Sequence, residues 1–331
     1  MAARSGGASV RGYVDAVLRG DKRAAAKLIS LIEDDEPEAG EAIARVHPHT
    51  GRAHIVGFTG PPGVGKSSLI NRLVRLFRAR GKKVGVVAVD PTSPFTGGAV
   101  LGDRIRMAET GLDPGVFIRS MATRGHAGGL ALATFDAVRV IEALGMDVVL
   151  IETVGAGQSE VEIATRAHTT VVVEMPFTGD VVQTMKAGIL EIGDVYAVNK
   201  VDLGNADALV GNLKFQLEAR DGWMPPIVRT CALEDRGVAE LADAIVKHRS
   251  HLEATGALRR KEVDRARREI LETAQRLLEQ RVRATGTGKG EFEALAERVA
   301  DRTLDPRTAA RSLLGQRRPT AAPRARTKGH R

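Results

Sequence analysis

The sequence predicts an α/β fold, a mostly parallel β-sheet covered by helices, with helical extensions at both ends. Three observations lead there. Short, continuously apolar runs alternate with amphipathic helical patterns through the middle of the chain. The chain is 43% hydrophobic but only 3% aromatic, so its core is built from Val, Ile, Leu and Ala, the mix of a parallel sheet buried on both faces. On either side of this alternation only helical periodicity remains.

The elements follow in chain order. Up to about Pro48 the pattern is helical: Tyr13, Val14, Val17 and Leu18 recur at helical spacing, as do Ala24, Leu28, Ile29 and Ile32. His47-Pro48-His49-Thr50-Gly51 reads as a linker. Strands are predicted at His54–Thr59, Val84–Asp90, Val116–Ser120, Val148–Thr153, Thr170–Met175, Val195–Asn199 and Ile227–Thr230. Helices fall between them, at Lys66–Arg80, Leu130–Leu144, Ala206–Ala219 and Val238–His251. After about Leu252 the strands stop. Lys261–Arg283 is one long helical pattern with Val263, Ile270, Leu271, Ala274, Leu277 and Leu278 on one side. Thr285-Gly286-Thr287-Gly288 breaks it, and shorter helices follow at Phe292–Val299 and Pro306–Leu314. The expected organisation is a helical extension over 1–50, a nucleotide-binding domain over 51–252, a helical arm over 253–316 and a basic tail over 317–331.

Composition narrows the function. The net charge is +8, but Arg317, Arg318, Arg324, Arg326, Lys328 and Arg331 supply six of those charges within the last fifteen residues, with no acid among them. That end reads as a solvated tail, and nucleic acid is not an expected partner, since the aromatic platforms of single-strand binders are missing. The single cysteine, Cys231, excludes an internal disulfide and fits a reducing compartment. No apolar run approaches the ~18 residues that span a bilayer, so the expectation is a cytoplasmic protein without a membrane partner.

Gly60-Pro61-Pro62-Gly63-Val64-Gly65-Lys66-Ser67 matches G-x-x-x-x-G-K-[ST], between a predicted strand and a predicted helix. This is a P-loop. Its glycines let main-chain N–H groups, together with Ser68 at the start of the helix, turn inward on a phosphate chain. Lys66 neutralises the β- and γ-phosphates, Ser67 offers a hydroxyl to Mg²⁺, and the helix points its positive end at the anion. Asn199-Lys200-Val201-Asp202 closes a later strand with the N-K-x-D pattern. The Asp202 carboxylate can accept from both N1–H and the N2 amine of guanine, donors that adenine lacks. The Lys200 stem packs along the base or its loop. Thr230-Cys231-Ala232-Leu233 ends the last predicted strand, where GTPases carry a short Ser-Ala-type element whose backbone N–H would meet guanine O6; Cys231 reads equally as a small buried filler. Together these motifs imply a site for GTP or GDP.

Asp90, Asp103 and Glu152 are the acids available to a nucleotide-bound Mg²⁺. One or two of them would bind directly and the rest through water. Glu152-Thr153-Val154-Gly155 stands where D-x-x-G is common, and Ala156 leaves no Gln just after the glycine. Gln158 is either the water-positioning residue or a helix N-terminal contact. Low intrinsic hydrolysis is expected, with Lys66, Glu152 and Gln158 as the catalytic candidates. His126, in a Gly-rich loop, reads as a structural histidine, because the eight His and one Cys show no metal-ligand spacing.

These segments, with Val89-Asp90-Pro91-Thr92-Ser93-Pro94 and Arg119-Ser120-Met121-Ala122-Thr123-Arg124-Gly125, resemble the methylmalonyl-CoA mutase-associated GTPases, from about Val10 to Leu314. These proteins chaperone adenosylcobalamin-dependent acyl-CoA mutases, and older naming calls them arginine/ornithine transport-system kinases. The resemblance implies GTP hydrolysis, a homodimer held by the C-terminal arm, and an additional switch loop from Met175 to Lys186. Asp180 and Lys186 are candidates there to couple nucleotide state to the mutase, or else a helix cap and a solvated lysine. Two other readings stay open: a nickel-delivering metallochaperone GTPase, which a single cysteine disfavours, and an amino-acid transport kinase, which would need a membrane partner.

Overall fold

A computed structural model describes residues 9–90, 112–122, 129–153, 162, 165–176, 191–286 and 291–314. The chain enters through helices α1 (Val10–Leu18), α2 (Lys22–Glu33) and α3 (Ala39–Val46). The Ser9 hydroxyl accepts from the Gly12 amide, and the Asp21 carboxylate from the Arg23 and Ala24 amides. These bonds satisfy donors that the first turns leave without helical partners.

Seven strands follow: β1 (His54–Thr59), β2 (Val84–Asp90), β3 (Val116–Ala122), β4 (Val148–Thr153), β5 (Thr169–Glu174), β6 (Val195–Val198) and β7 (Ile227–Arg229). They form one sheet in the order β3-β2-β4-β1-β5-β6-β7, and every neighbouring pair is parallel. The helices between them are α4 (Lys66–Ala79), α5 (Gly129–Ala143), α6 (Ala206–Gln216) and α7 (Val238–Ala254).

Strand side chains alternate between two covered faces. Ile55, Val87, Val89, Val149 and Ile151 join a core with α5 and the three N-terminal helices. Val56, Phe58, Val86, Leu150, Val171 and Val173 join a second core with Leu69, Ile70 and Leu73 of α4 and Leu241 and Ile245 of α7. A smaller cluster seats α6 on Val172, Tyr196 and Val198. Burial on both faces explains the unbroken apolar runs: β1, β4 and β5 are buried at every residue.

The order puts β1 at the centre, between β4 and β5. The chain leaves β1 and returns on the far side of β4 as β2. The carboxyl ends of the central strands are therefore the place where connections diverge, which is where open parallel sheets hold ligands.

The opposite, amino-terminal edge is a buried polar cluster. His54 Nε2 pairs with Thr169 Oγ1 at 2.8 Å, and that hydroxyl pairs with His248 Nδ1 at 2.9 Å. His168 Nδ1 accepts from the Ile55 amide at 3.1 Å. Helix α8 (Ala257–Gly286) begins against this edge: Lys261 Nζ donates to the His168 carbonyl at 3.1 Å and to Asp194 Oδ2 at 3.2 Å.

Two compact units divide between Ala266 and Arg267. The first ten residues of α8 thus belong with the sheet. The second unit holds the rest of α8, α9 (Glu291–Ala300) and α10 (Pro306–Leu313), and Asp305 caps α10 by accepting from the Arg307 and Thr308 amides. On α8, Ile270, Leu271, Leu277 and Leu278 are exposed. Among the described residues no helix is long and apolar enough to cross a membrane. Asp103, His126, Gln158, Asp180, Lys186, the switch segment from 177 onward and the tail 317–331 lie outside the described residues.

Candidate nucleotide site at the carboxyl end of the sheet

The loop from Gly60 to Gly65 is shaped by backbone geometry that only glycine adopts readily. Gly60 has φ +139° and Gly65 has φ +95°. Space demands glycine as well. A Cβ on Gly60 would lie 2.1 Å from the Val173 carbonyl oxygen of β5, and one on Gly65 would lie 2.4 Å from Asn199 Nδ2. The loop therefore lies directly on β5 and on the turn after β6. Val64 is fully buried and anchors it.

Lys66 opens α4 and is itself buried. Its ammonium donates to the carbonyls of Gly60 at 2.7 Å and Pro61 at 2.9 Å, so it arches over the loop it follows. Ser67, one residue on, donates through Oγ to Glu152 Oε1 at 2.5 Å. Glu152 lies near the end of β4, buried, in register with Phe58 of β1 and Ala88 of β2. Asp90 ends β2, one step past the Val89–Thr153 pair, so its backbone reaches the same edge as Glu152. Among the described residues no three His, Cys, Asp or Glu side chains converge as a metal cluster.

Asn199 is the joint of the site. It is buried, and its amide donates from Nδ2 to the Val64 carbonyl at 2.8 Å. Its Oδ1 accepts from Thr230 Oγ1 at 3.1 Å and from the Ala232 amide at 3.2 Å. One side chain thus ties the phosphate loop, the turn after β6 and the loop after β7 together. Lys200 holds a left-handed backbone, φ +59°, and its Cε lies 3.9 Å from where a Gly65 Cβ would be, so its stem runs over the phosphate loop.

Asp202 sits in the short turn Val201–Leu203 and is exposed. The buried Cys231 thiol hydrogen-bonds to it; burial first, and then this bond, push the thiol above its usual range. The Ala232 amide is engaged by Asn199 and the Cys231 amide by the Arg236 carbonyl at 2.9 Å, while Leu233 is exposed.

Two residues that the sequence reading passed over belong here. Arg72, on α4, donates from Nε to the Ala232 carbonyl at 2.9 Å, from Nη2 to the Leu233 carbonyl at 3.3 Å and from Nη1 to Asp235 at 2.9 Å. The phosphate-loop helix therefore clamps the loop after β7. Glu174 ends β5 and is buried; burial pushes its carboxyl up to about 7, and the Lys66 charge opposes that rise. Its signal was available: it closes an apolar strand with a lone acid, as Asp90 does. Arg72 had no such signal, since an arginine on a helix gives no hint of which loop it meets.

The family profile described as "Methylmalonyl Co-A mutase-associated GTPase MeaB" matches residues 25–287. A Pyrococcus abyssi relative is 48% identical over 307 residues, spanning 91% of this chain and 94% of its own. A Caenorhabditis elegans protein named "Methylmalonic aciduria type A homolog, mitochondrial" is 35% identical over 250 residues, spanning 73% of this chain and 61% of its own. Among solved structures, one titled "Crystal structure of LAO/AO transport system kinase" superposes with a TM-score of 0.68 at 25% identity, covering 95% of this chain and 99% of that one. A phosphate loop docked on an N-K-x-D turn, in a chain matched over most of its length by that profile, places it in the methylmalonyl-CoA mutase-associated GTPase (MeaB) family, as a P-loop GTPase that binds guanine nucleotide.

Proposed function

We propose that this GTPase binds GTP with Mg²⁺ and serves as a nucleotide-gated chaperone for an adenosylcobalamin-dependent acyl-CoA mutase, acting in cofactor loading, protection and reactivation. The observation that carries the nucleotide half is the Asn199 bridge, which sets the base-reading turn against the phosphate loop. The mutase half rests on family membership and on the name of the Caenorhabditis elegans relative.

In this reading the inward amides of Gly60 to Ser68 cradle the β-phosphate. Lys66, which already donates to two loop carbonyls, turns its ammonium to the β- and γ-phosphates. Asp202 accepts from guanine N1–H and N2–H, with the Lys200 stem along the base and the segment Cys231 to Leu233 beside O6. The donors at the start of α4 suit Mg²⁺: the Ser67 hydroxyl and Glu152 offer oxygen, with Asp90 and Asp103 as further candidates. Mg²⁺, when bound, offsets the charge of the phosphate chain. Glu152 holds the Ser67 hydroxyl in place, and Gln158 remains the candidate to orient water. The switch segments would order on the γ-phosphate and relax once it is lost, which gives the client a state to read. A homodimer through the exposed Ile270, Leu271, Leu277 and Leu278 face of α8 completes the proposal.

Affinity capture tests the chaperone role. The protein is immobilised with GDP or with a non-hydrolysable GTP analogue and offered purified adenosylcobalamin-dependent acyl-CoA mutase. Nucleotide-dependent retention, with faster GTP hydrolysis in the mutase's presence, is the expected result. Equal retention in both states and an unchanged rate would remove the chaperone reading and leave the GTPase standing.

A further inference from the structure

Glu174 is a buried acid with no part in the proposed nucleotide contacts. It ends β5, next to Val173, whose carbonyl oxygen sits against Gly60 of the phosphate loop. Its own carbonyl accepts from the Asn199 amide at 2.7 Å. Main-chain contacts therefore fix it between the two motifs that hold the nucleotide. It is 6% exposed, and among the described residues no hydrogen bond reaches its carboxyl oxygens. The charged group that acts on it is Lys66 at the start of α4. Glu152, the candidate metal acid, stands across β1 on β4.

We propose that Glu174 is a proton-linked positioning residue for Lys66. As a carboxylate it competes with the phosphates for the ammonium. As a carboxylic acid it releases the ammonium to them. Burial pushes the Glu174 carboxyl up to about 7, and the Lys66 charge opposes that rise. Bound phosphates add negative charge nearby and take up the Lys66 charge, so both effects favour the acid form further. Nucleotide binding is then accompanied by uptake of a proton from solvent onto a Glu174 oxygen, and affinity falls as pH rises through neutrality. The role rests on Lys66 serving the phosphates, and it adds that this service is pH-gated.

The test is calorimetric titration with a non-hydrolysable GTP analogue and Mg²⁺, in buffers of different ionisation enthalpy, between about pH 6.5 and about pH 8.5. Wild type is expected to take up a substantial fraction of a proton and to lose roughly tenfold in affinity across that window. The near-isosteric Glu174→Gln should lose that uptake, beyond what the nucleotide's own phosphates contribute, and flatten the profile. Equal uptake and equal slope in the two proteins would overturn the inference. If Glu174→Gln does not fold, Glu174→Asp is the second arm. Its carboxyl is drawn back by one methylene, so the midpoint of uptake should move, and an unmoved midpoint overturns the inference. Failure of wild type to bind the analogue at all would instead remove the phosphate-site reading on which it rests.

Discussion

Asn199 carries more of the site than any residue that touches nucleotide in the proposed pose. It closes three contacts with one buried amide, to Val64, Thr230 and Ala232. Asn199→Ala leaves the Val64 carbonyl and the Ala232 amide without that partner inside the protein. The expected loss is about 3 kcal/mol of stability, read by urea unfolding, with GDP affinity falling alongside. Asp202→Asn separates base reading from scaffolding. A carboxamide reverses one hydrogen-bond partner, so preference should pass from guanine to xanthine nucleotides in a competition assay with little change in the melting temperature. Retained GTP selectivity would displace Asp202 from the base. The N-K-x-D letters were legible in the sequence. That their asparagine is the joint was not, because it depends on Val64, which is 135 residues away in the chain.

At the level of elements, α4 does two jobs. Its first turn carries Lys66 and Ser67, and a turn and a half later Arg72 grips the loop after β7. Most of that grip is two carbonyl bonds, since the Asp235 partner is largely exposed and such pairs contribute little. Arg72→Ala is expected to weaken guanine-nucleotide binding roughly fivefold, about 1 kcal/mol, with hydrolysis of the bound nucleotide nearly unchanged. An effect confined to the melting temperature would make Arg72 a structural clamp only. The strands were the most legible elements, each within about two residues of its predicted bounds, because burial on both faces gives unbroken apolar runs. Helix α8 was less legible at its start. The predicted pattern begins at Lys261, while the helix begins at Ala257, and it assigns Lys261 and Arg265 no partner. In the structure Lys261 meets the His168 carbonyl and Asp194, and Arg265 lies over the Phe135 ring at 6.0 Å. The first unit therefore extends to Ala266, past the point where the strand pattern ends.

The first unit as a whole carries opposed chemistry at the two ends of its sheet. The carboxyl end gathers charge for an anion. The amino end buries three histidines in neutral form: burial, reinforced by nearby cations, lowers His54 to about 3 and holds His168 well below its usual range. At His248 burial outweighs Asp194 and leaves it at about 4. Between those values and about 6.5 the unfolded chain binds the protons that the folded chain refuses. Each histidine then removes about 1.4 kcal/mol of stability per pH unit of descent below about 6.5. Glu142 and Glu174, raised by burial, act in the opposite sense from their elevated values down to about 4.5, since the folded form holds their protons more tightly. Three histidines outweigh two glutamates, so urea stability should fall from about pH 7 to about pH 5. His54→Gln should reduce that slope, and an unchanged slope would mean the cluster is not what titrates.

The central claim is that the phosphate loop and the turn after β6 form one pocket that reads guanine. Calorimetric titration of the full chain with GDP and with ADP, each with Mg²⁺, tests it most directly. A preference for GDP of roughly 10³-fold or more is the expected result, because adenine would leave the Asp202 carboxylate without its two donors. Equal affinity for the two nucleotides, or binding of neither, would contradict it.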